Sequence, residues 1–187
     1  MNTKKIITRR AALTTLAAAS GSALAAGDTA AETAGNANTV DARKGRLKQS
    51  VSRWCFGRIP LDELTREIKA MGLHGLDLLG PDDWDTVKEN GLTCTMANGP
   101  GGISDGWNTP DNHATLIERS KELMPKIAAA GLKNMVVFSG NRGGISDEEG
   151  LENCARGLEK ILSLSEELDL VIHMELLNSK RDHKDYQ

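Results

Sequence analysis

Aromatic side chains are scarce in this chain. They make up 3% of its 187 residues, so a core has to be built mainly from Leu, Ile, Val, Met and Ala. Cysteine is present but unpatterned: Cys55, Cys94 and Cys154 lie far apart with no C-x-x-C spacing. Metal-binding and redox motifs built on cysteine are therefore unsupported, and the odd number argues against a simple disulfide framework, which leaves buried free thiols as the expectation. There is no excess of positive charge either. With 26 acidic and 23 basic residues the net charge is −3, no basic face stands out, and nucleic acid is not an expected partner. The apolar run Ala11–Ala25 is about 15 residues long and Ala-rich, too short for a comfortable membrane span.

What the N-terminus does contain is an address. A basic start, an apolar run and the small-residue ending Ala23-Leu24-Ala25 make residues 1–25 a signal peptide. Thr8-Arg9-Arg10 directly before a weakly apolar run resembles a twin-arginine export signal, with an ordinary secretory signal or a retained anchor as the alternatives. The expected location is periplasmic or exported, with no stable membrane span after cleavage. Residues 26–46 are small and polar without a period, which predicts a flexible linker.

From Leu47 onward strand and helix patterns alternate. "LKQSVSRWCF" reads as a strand. "PLDELTREIKAMG" reads as a helix with Leu61, Leu64, Ile68 and Met71 at helical spacing, Pro60 in its first turn and Gly72 at its end. "GLDLL" (75–79), "LTCTM" (92–96), "NMVVF" (134–138) and "LVIHME" (170–175) are short apolar strands. Helices are expected over "PDDWDTVKENG", from Thr109-Pro110 to about Gly131, and after Ser146, whose S-x-x-E spacing to Glu149 is a capping box. That last helix is expected to bury Leu151, Leu158, Ile161 and Leu168. Strands three to five each begin just after a helix-ending element: Gly91-Leu92, Gly131-Leu132 and Leu168-Asp169-Leu170.

Strands in series with helices between them argue for an α/β fold with a parallel sheet. A doubly wound sheet is the first alternative, but its G-x-G-x-x-G turn is absent; "CFGRIP" stands there instead. A (β/α)8 TIM barrel fits better, because the polar residues gather at the strand C-termini: "ANGPGG", "SGNRGG" and Glu175. Such a barrel takes about 250 residues. Residues 47–187 are accordingly expected to form its N-terminal part, truncated to about the first five strands.

Glu175 is the leading candidate for chemistry. A carboxylate leaving an apolar strand is costly unless it is paired or binds a cation. It reads either as a ligand for Mg²⁺ or Mn²⁺ that doubles as proton acceptor, or as a structural Glu bonded within the barrel mouth. His183 could hydrogen-bond a substrate oxygen, or be a solvated loop histidine. His173 shares the strand face of Glu175 and is expected to be bonded to a neighbour. Asn98 and Asn141 are candidate substrate contacts close to Glu175. The two Gly-rich loops lack P-loop spacing and are expected to be flexible and substrate-facing.

Together "SVSRWCF", "GLDLLGPDDW", "GLTCTMANG", "GWNTPDNH", "VVFSGNRGG", "GLENCARGL" and "MELLNSKRDHKDYQ" resemble the hydroxypyruvate isomerase-like branch of the sugar phosphate isomerase/epimerase superfamily, the xylose isomerase-like TIM barrels. The resemblance implies a divalent metal, Mn²⁺ or Mg²⁺, at the barrel mouth, with Glu175 as its first ligand and as one of two acid–base glutamates, and His183 as a substrate contact. It implies isomerisation of hydroxypyruvate or a related small keto-sugar through an enediolate. The other implied ligands would lie on later strands, so this chain alone is expected neither to hold the metal nor to turn over. The alternatives are a non-catalytic sugar-binding or interaction protein and a truncation product without function. Open sheet edges would favour self-association.

Overall fold

A computed structural model describes residues 47–187. The signal-peptide and linker expectations for residues 1–46 lie outside the described residues. The described elements are β1 (Ser50–Ser52), α1 (Leu61–Ala70), β2 (Gly75–Leu79), α2 (Pro81–Glu89), β3 (Thr93–Asn98), α3 (Pro110–Ala129), β4 (Asn134–Val137), α4 (Asp147–Glu167) and β5 (Val171–Met174). The five strands form one sheet in the order β1-β2-β3-β4-β5, and every neighbouring pair is parallel. Sequential parallel neighbours joined by helices are the arrangement of a TIM barrel wall, in contrast to the reversed order of a doubly wound sheet.

One local device repeats through the chain. At the ends of α1, α2 and α3, Gly72, Gly91 and Gly131 adopt φ of 79°, 69° and 77°. The following leucine then donates back to the helix: Leu73 to Ile68 (3.1 Å), Leu92 to Val87 (3.1 Å) and Leu132 to Ile127 (3.1 Å). These are Schellman turns, in which the left-handed residue satisfies the last carbonyls and the apolar residue after it caps the helix end. The α4 end makes the same turn with Asp169 (φ 53°), and Leu170 donates to Ser165 (2.9 Å). Each turn delivers the chain directly into the next strand, which explains the recurring "GL" and "LDL" signal. At the other helix ends, Pro81 and Pro110 occupy first-turn positions of α2 and α3, and Ser146 Oγ accepts the Glu149 N–H at 3.1 Å.

The core lies between the sheet and the helices. Leu64, Ile68, Val87, Leu116, Met124, Ile127 and Ile161 pack from the helices onto Leu76, Leu79, Met135 and Val137 of the strands. Several expectations need correction. The first strand stops at Ser52, and Arg53–Phe56 form a 3-10 turn, stapled by the Arg53 guanidinium to the carbonyls of Phe56 (2.6 Å) and Ile59 (3.1 Å). Met71 is exposed. Ile161 is fully buried as expected, but Leu151 is 72% exposed, because on that stretch α4 buries the small and polar residues Gly150, Asn153, Cys154, Gly157 and Ser165. Gly157 is needed there, since a Cβ would stand 2.7 Å from Trp107 Cε3. Leu158 and Leu162 of α4 line an open groove with Ile172 and Met174 of β5, the helix-facing side of the edge strand.

The cysteines also divide. Cys94 and Cys154 are buried, and burial pushes both thiols up to about 11, whereas Cys55 is exposed, against the expectation of three buried thiols. A thiol reagent at neutral pH is therefore expected to modify Cys55 within minutes in the folded protein and to reach the other two only on unfolding. Mass spectrometry of the native protein after brief alkylation checks this; rapid labelling of Cys94 would contradict the packing of β3 against α2.

Candidate functional site

At the C-terminal ends of the strands lies a cavity of about 370 Å³ lined by Trp54, Leu78, Ile103, Phe138, Glu175, Leu177 and His183. Every strand contributes: Trp54 follows β1, Leu78 lies near the end of β2, Ile103 comes from the loop after β3, Phe138 follows β4, and Glu175 follows β5. Alternation along β5 explains the aim of Glu175. Ile172 and Met174 face the helix side, so His173 and Glu175 face the opposite side. The Glu175 N–H still donates to Val137 O at 2.9 Å, which extends the β4–β5 ladder one residue past the strand and sets Glu175 beside Phe138.

One step below, a hydrogen-bonded polar ladder crosses three strands. His173 Nε2 lies 3.0 Å from Asn134 Oδ1, and Asn134 Nδ2 donates to Thr95 O at 3.0 Å. Because the amide nitrogen is used as donor, the Asn134 oxygen is the acceptor and the imidazole donates. His173 is thus bonded to a neighbour, as expected, and is not among the cavity-lining residues.

Leu78 reaches the cavity through an irregular backbone. Its φ is 63°, a left-handed conformation uncommon for a branched residue, and the β2–β3 register shifts on both sides of Asp77. No residue type in "GLDLL" announces this. Trp54, Phe138, Ile103 and Leu177 were also missed as a group; their common signal is position just beyond strand ends.

The chain after β5 turns back on itself. Asn178 Oδ1 accepts the Lys180 N–H (3.2 Å), Asn178 O accepts the His183 N–H (3.1 Å), and His183 O accepts the Tyr186 N–H (2.9 Å). This compact turn places the His183 side chain on the same cavity as Glu175. Asn98 and Asn141 do not line it. Asn98 is the exposed last residue of β3. Asn141 is tied into the frame: its carbonyl accepts from Asn108 Nδ2 (2.7 Å), its N–H donates to Ser104 O (3.2 Å), and it bridges to Tyr186.

The Gly-rich loops are pinned, contrary to the expectation of flexible segments. Gly99 donates to Val136 O (2.8 Å), Trp107 to Phe138 O (3.0 Å) and Asn108 to Ser139 O (2.7 Å), so the loop after β3 runs alongside β4 and beyond it. Buried Asn108 also donates to Gln187 Oε1 (2.8 Å) and accepts from Asn153 Nδ2 on its own carbonyl (2.8 Å). The glycines serve this close approach of backbone to backbone.

A divalent cation would meet two donor side chains in the cavity, Glu175 and His183. Among the described residues no group of three or more His, Cys, Asp or Glu could hold a metal ion. Hard cations require several oxygen ligands, so these residues alone do not fit such an ion. No described helix is long and apolar enough to cross a membrane.

No protein-family model matches the sequence. A search of curated proteins returned no match. Solved structures do match. A 3-keto-D-glucoside 4-epimerase from E. coli is 21% identical with a TM-score of 0.56, covering 75% of this chain and 58% of that one. An AP endonuclease of family 2 from Brucella melitensis is 16% identical with a TM-score of 0.64, covering 75% and 59%. A sugar phosphate isomerase/epimerase from Parabacteroides distasonis is 17% identical with a TM-score of 0.54, covering 68% and 50%. The fold is that of a partial TIM barrel. The chain spans less than two thirds of the length of each of these structures. At these identities the likeness concerns the barrel itself, which carries many chemistries on one frame.

Proposed function

We propose that this barrel segment carries one side of a sugar isomerase or epimerase site, acting on hydroxypyruvate or a related small keto-sugar. The observation that carries the reading is the cavity composition: Glu175 and His183 are the two ionisable groups in a lining otherwise made of Trp54, Leu78, Ile103, Phe138 and Leu177. A carboxylate and an imidazole lining one apolar cleft suit proton transfer next to a carbonyl. Glu175 takes the proton from the hydroxyl-bearing carbon, the electron pair moves onto the carbonyl oxygen, and His183 hydrogen-bonds an oxygen of the resulting enediolate. Return of the proton to the neighbouring carbon calls for an acid on the other face of the substrate, and a divalent metal would call for donors beyond Glu175 and His183. Asn98 and Asn141 are proposed contacts only for a ligand reaching beyond the cavity. The leader around Arg9-Arg10 supports export.

Nucleic acid is the second class to weigh, given the AP endonuclease among the matching structures. The acidic balance of 26 to 23 charged residues, without a basic stripe, weighs against it.

The test is a titration of the full chain with hydroxypyruvate, followed by Trp fluorescence and NMR. Saturable binding is expected, weakened about tenfold or more in Glu175→Ala, as a lost charge-assisted hydrogen bond implies. Turnover is expected to stay at background with or without Mn²⁺. Binding that is identical in Glu175→Ala and His183→Ala would remove the cavity from the reading, and tighter binding of an abasic oligonucleotide would replace it.

A further inference from the structure

We infer that Tyr186 is a positioning residue that sets Glu175 and His183 at their places on the cavity. The inference rests on the reading of those two side chains as the ligand-facing pair. Tyr186 is 2% exposed, the only tyrosine of the chain, and it comes from the returning segment after β5. Its hydroxyl donates to the Glu175 carbonyl at 2.8 Å and accepts the Ser139 N–H at 3.1 Å. Its own N–H donates to the His183 carbonyl at 2.9 Å. One residue therefore holds the backbone of both cavity groups and ties them to the end of β4.

The need for such a group follows from where the ladder stops. The β4–β5 pairing ends with the Glu175 N–H bonded to Val137 O. The next bond of a parallel ladder would run from the Ser139 N–H to the Glu175 carbonyl, and in its place both groups bond the Tyr186 hydroxyl. A phenol is both donor and acceptor on a rigid arm, so it replaces that bond with both polarities satisfied. Phenylalanine would fill the same space and satisfy neither.

The rest of the segment keeps the arm in place. Arg142 N–H donates to Asp185 O at 2.6 Å, Arg142 Nε donates to Tyr186 O at 3.3 Å, and Asn141 bridges antiparallel to Tyr186. Gln187 N–H donates to Gly140 O at 3.1 Å, and Ser139 Oγ donates to Gln187 O. The loop after β4 is thus clasped by residues 185–187, and the phenol is the part of the clasp that reaches the cavity residues.

The experiment compares Tyr186→Phe with wild type and with Ile68→Val, a conservative change in α1 away from the cavity, using the full chain with hydroxypyruvate as probe. Expected for Tyr186→Phe are a folded spectrum, Ser139 amide exchange faster by about tenfold or more, displaced His183 imidazole and Glu175 carboxyl resonances, and affinity lower by about tenfold. Ile68→Val is expected to lower stability and leave those resonances and the affinity as they are. If Tyr186→Phe loses stability but keeps wild-type affinity and resonances, the inference is overturned while the reading of the cavity stands, provided Glu175→Ala still weakens binding. If the wild type binds no hydroxypyruvate, that reading fails, and the inference is decided by the ligand-free signals: displaced His183 and Glu175 resonances support it, and unchanged ones overturn it.

Discussion

Gly106→Ala is expected to remove about 2–4 kcal/mol of folding stability, a large part of what a domain of this size has. A Cβ at this position would sit closer than 3.0 Å to the carbonyl carbon and oxygen of Ser139 and to Gly140 N. All three are backbone atoms, so no side-chain rotation relieves the clash. The loop would have to lift away from the end of β4. That movement breaks the bonds from Trp107 N–H to Phe138 O (3.0 Å) and from Asn108 N–H to Ser139 O (2.7 Å), and it draws Trp107 out of its packing. Gly140 stands on the other side of the same contact at φ 105°, and a Cβ there would in turn lie 2.7 Å from Gly106 N, so the two backbones meet with no space for a side chain on either. Urea unfolding followed by circular dichroism measures the loss. Gly102→Ala, at a site with nothing within 4 Å, is the control and should stay within about 0.5 kcal/mol of wild type. A Gly106→Ala protein as stable as that control would mean the loop does not lie against β4 as described.

The second large effect concerns Trp107 itself. It is fully buried, at 0% exposure, among Gly157, His113 and the end of β4. Its ring is tilted 36° against that of His113 with centroids 6.0 Å apart, and His113 Nε2 lies 2.8 Å from the Trp107 carbonyl. Truncation to Ala should cost about 3–5 kcal/mol, the range for emptying a buried aromatic site. Trp107→Phe should cost much less. The indole Nε1 has no hydrogen-bond partner in its buried setting, and an unsatisfied buried donor costs about 1–3 kcal/mol. Phenylalanine deletes that donor, which offsets part of the cavity it leaves. Alanine deletes the same donor, so the gap between the two variants reports the ring that phenylalanine keeps, and equal losses measured by urea unfolding would show that the site does not pack a ring as described.

The particular residues show what was legible in advance. The strand–helix alternation was readable because buried parallel strands are continuous apolar runs, and because Schellman turns need a left-handed residue followed by an apolar one at each helix end. Glu175 and His183 were readable as site candidates from their place after the last strand. Leu151 was misread because apolar periodicity reports which stripe of α4 is greasy, whereas burial followed the small residues Gly150, Cys154 and Gly157 that admit close neighbours. The first strand was overextended because Trp54 and Phe56 have strand propensity, yet the Arg53 staple turns the chain there. The glycine content of the loops after β3 and β4 predicts flexible segments. Glycine permits close packing as readily as motion, and here it serves the packing.

By itself, the sequence determined the order of elements, the parallel sheet, and the placement of a carboxylate and an imidazole beyond the fifth strand, because these depend on local periodicity, turn chemistry and the end of a buried run. Tertiary structure alone decided which side chains share the cavity. Leu78 enters it through a backbone irregularity, Trp54 and Phe138 because β1 and β4 open onto the same end of the sheet, and Tyr186 supports it from a segment that folds back. Such relations join residues tens of positions apart, and the free energy that selects them comes from packing and hydrogen-bond satisfaction across the whole sheet, which no local stretch encodes.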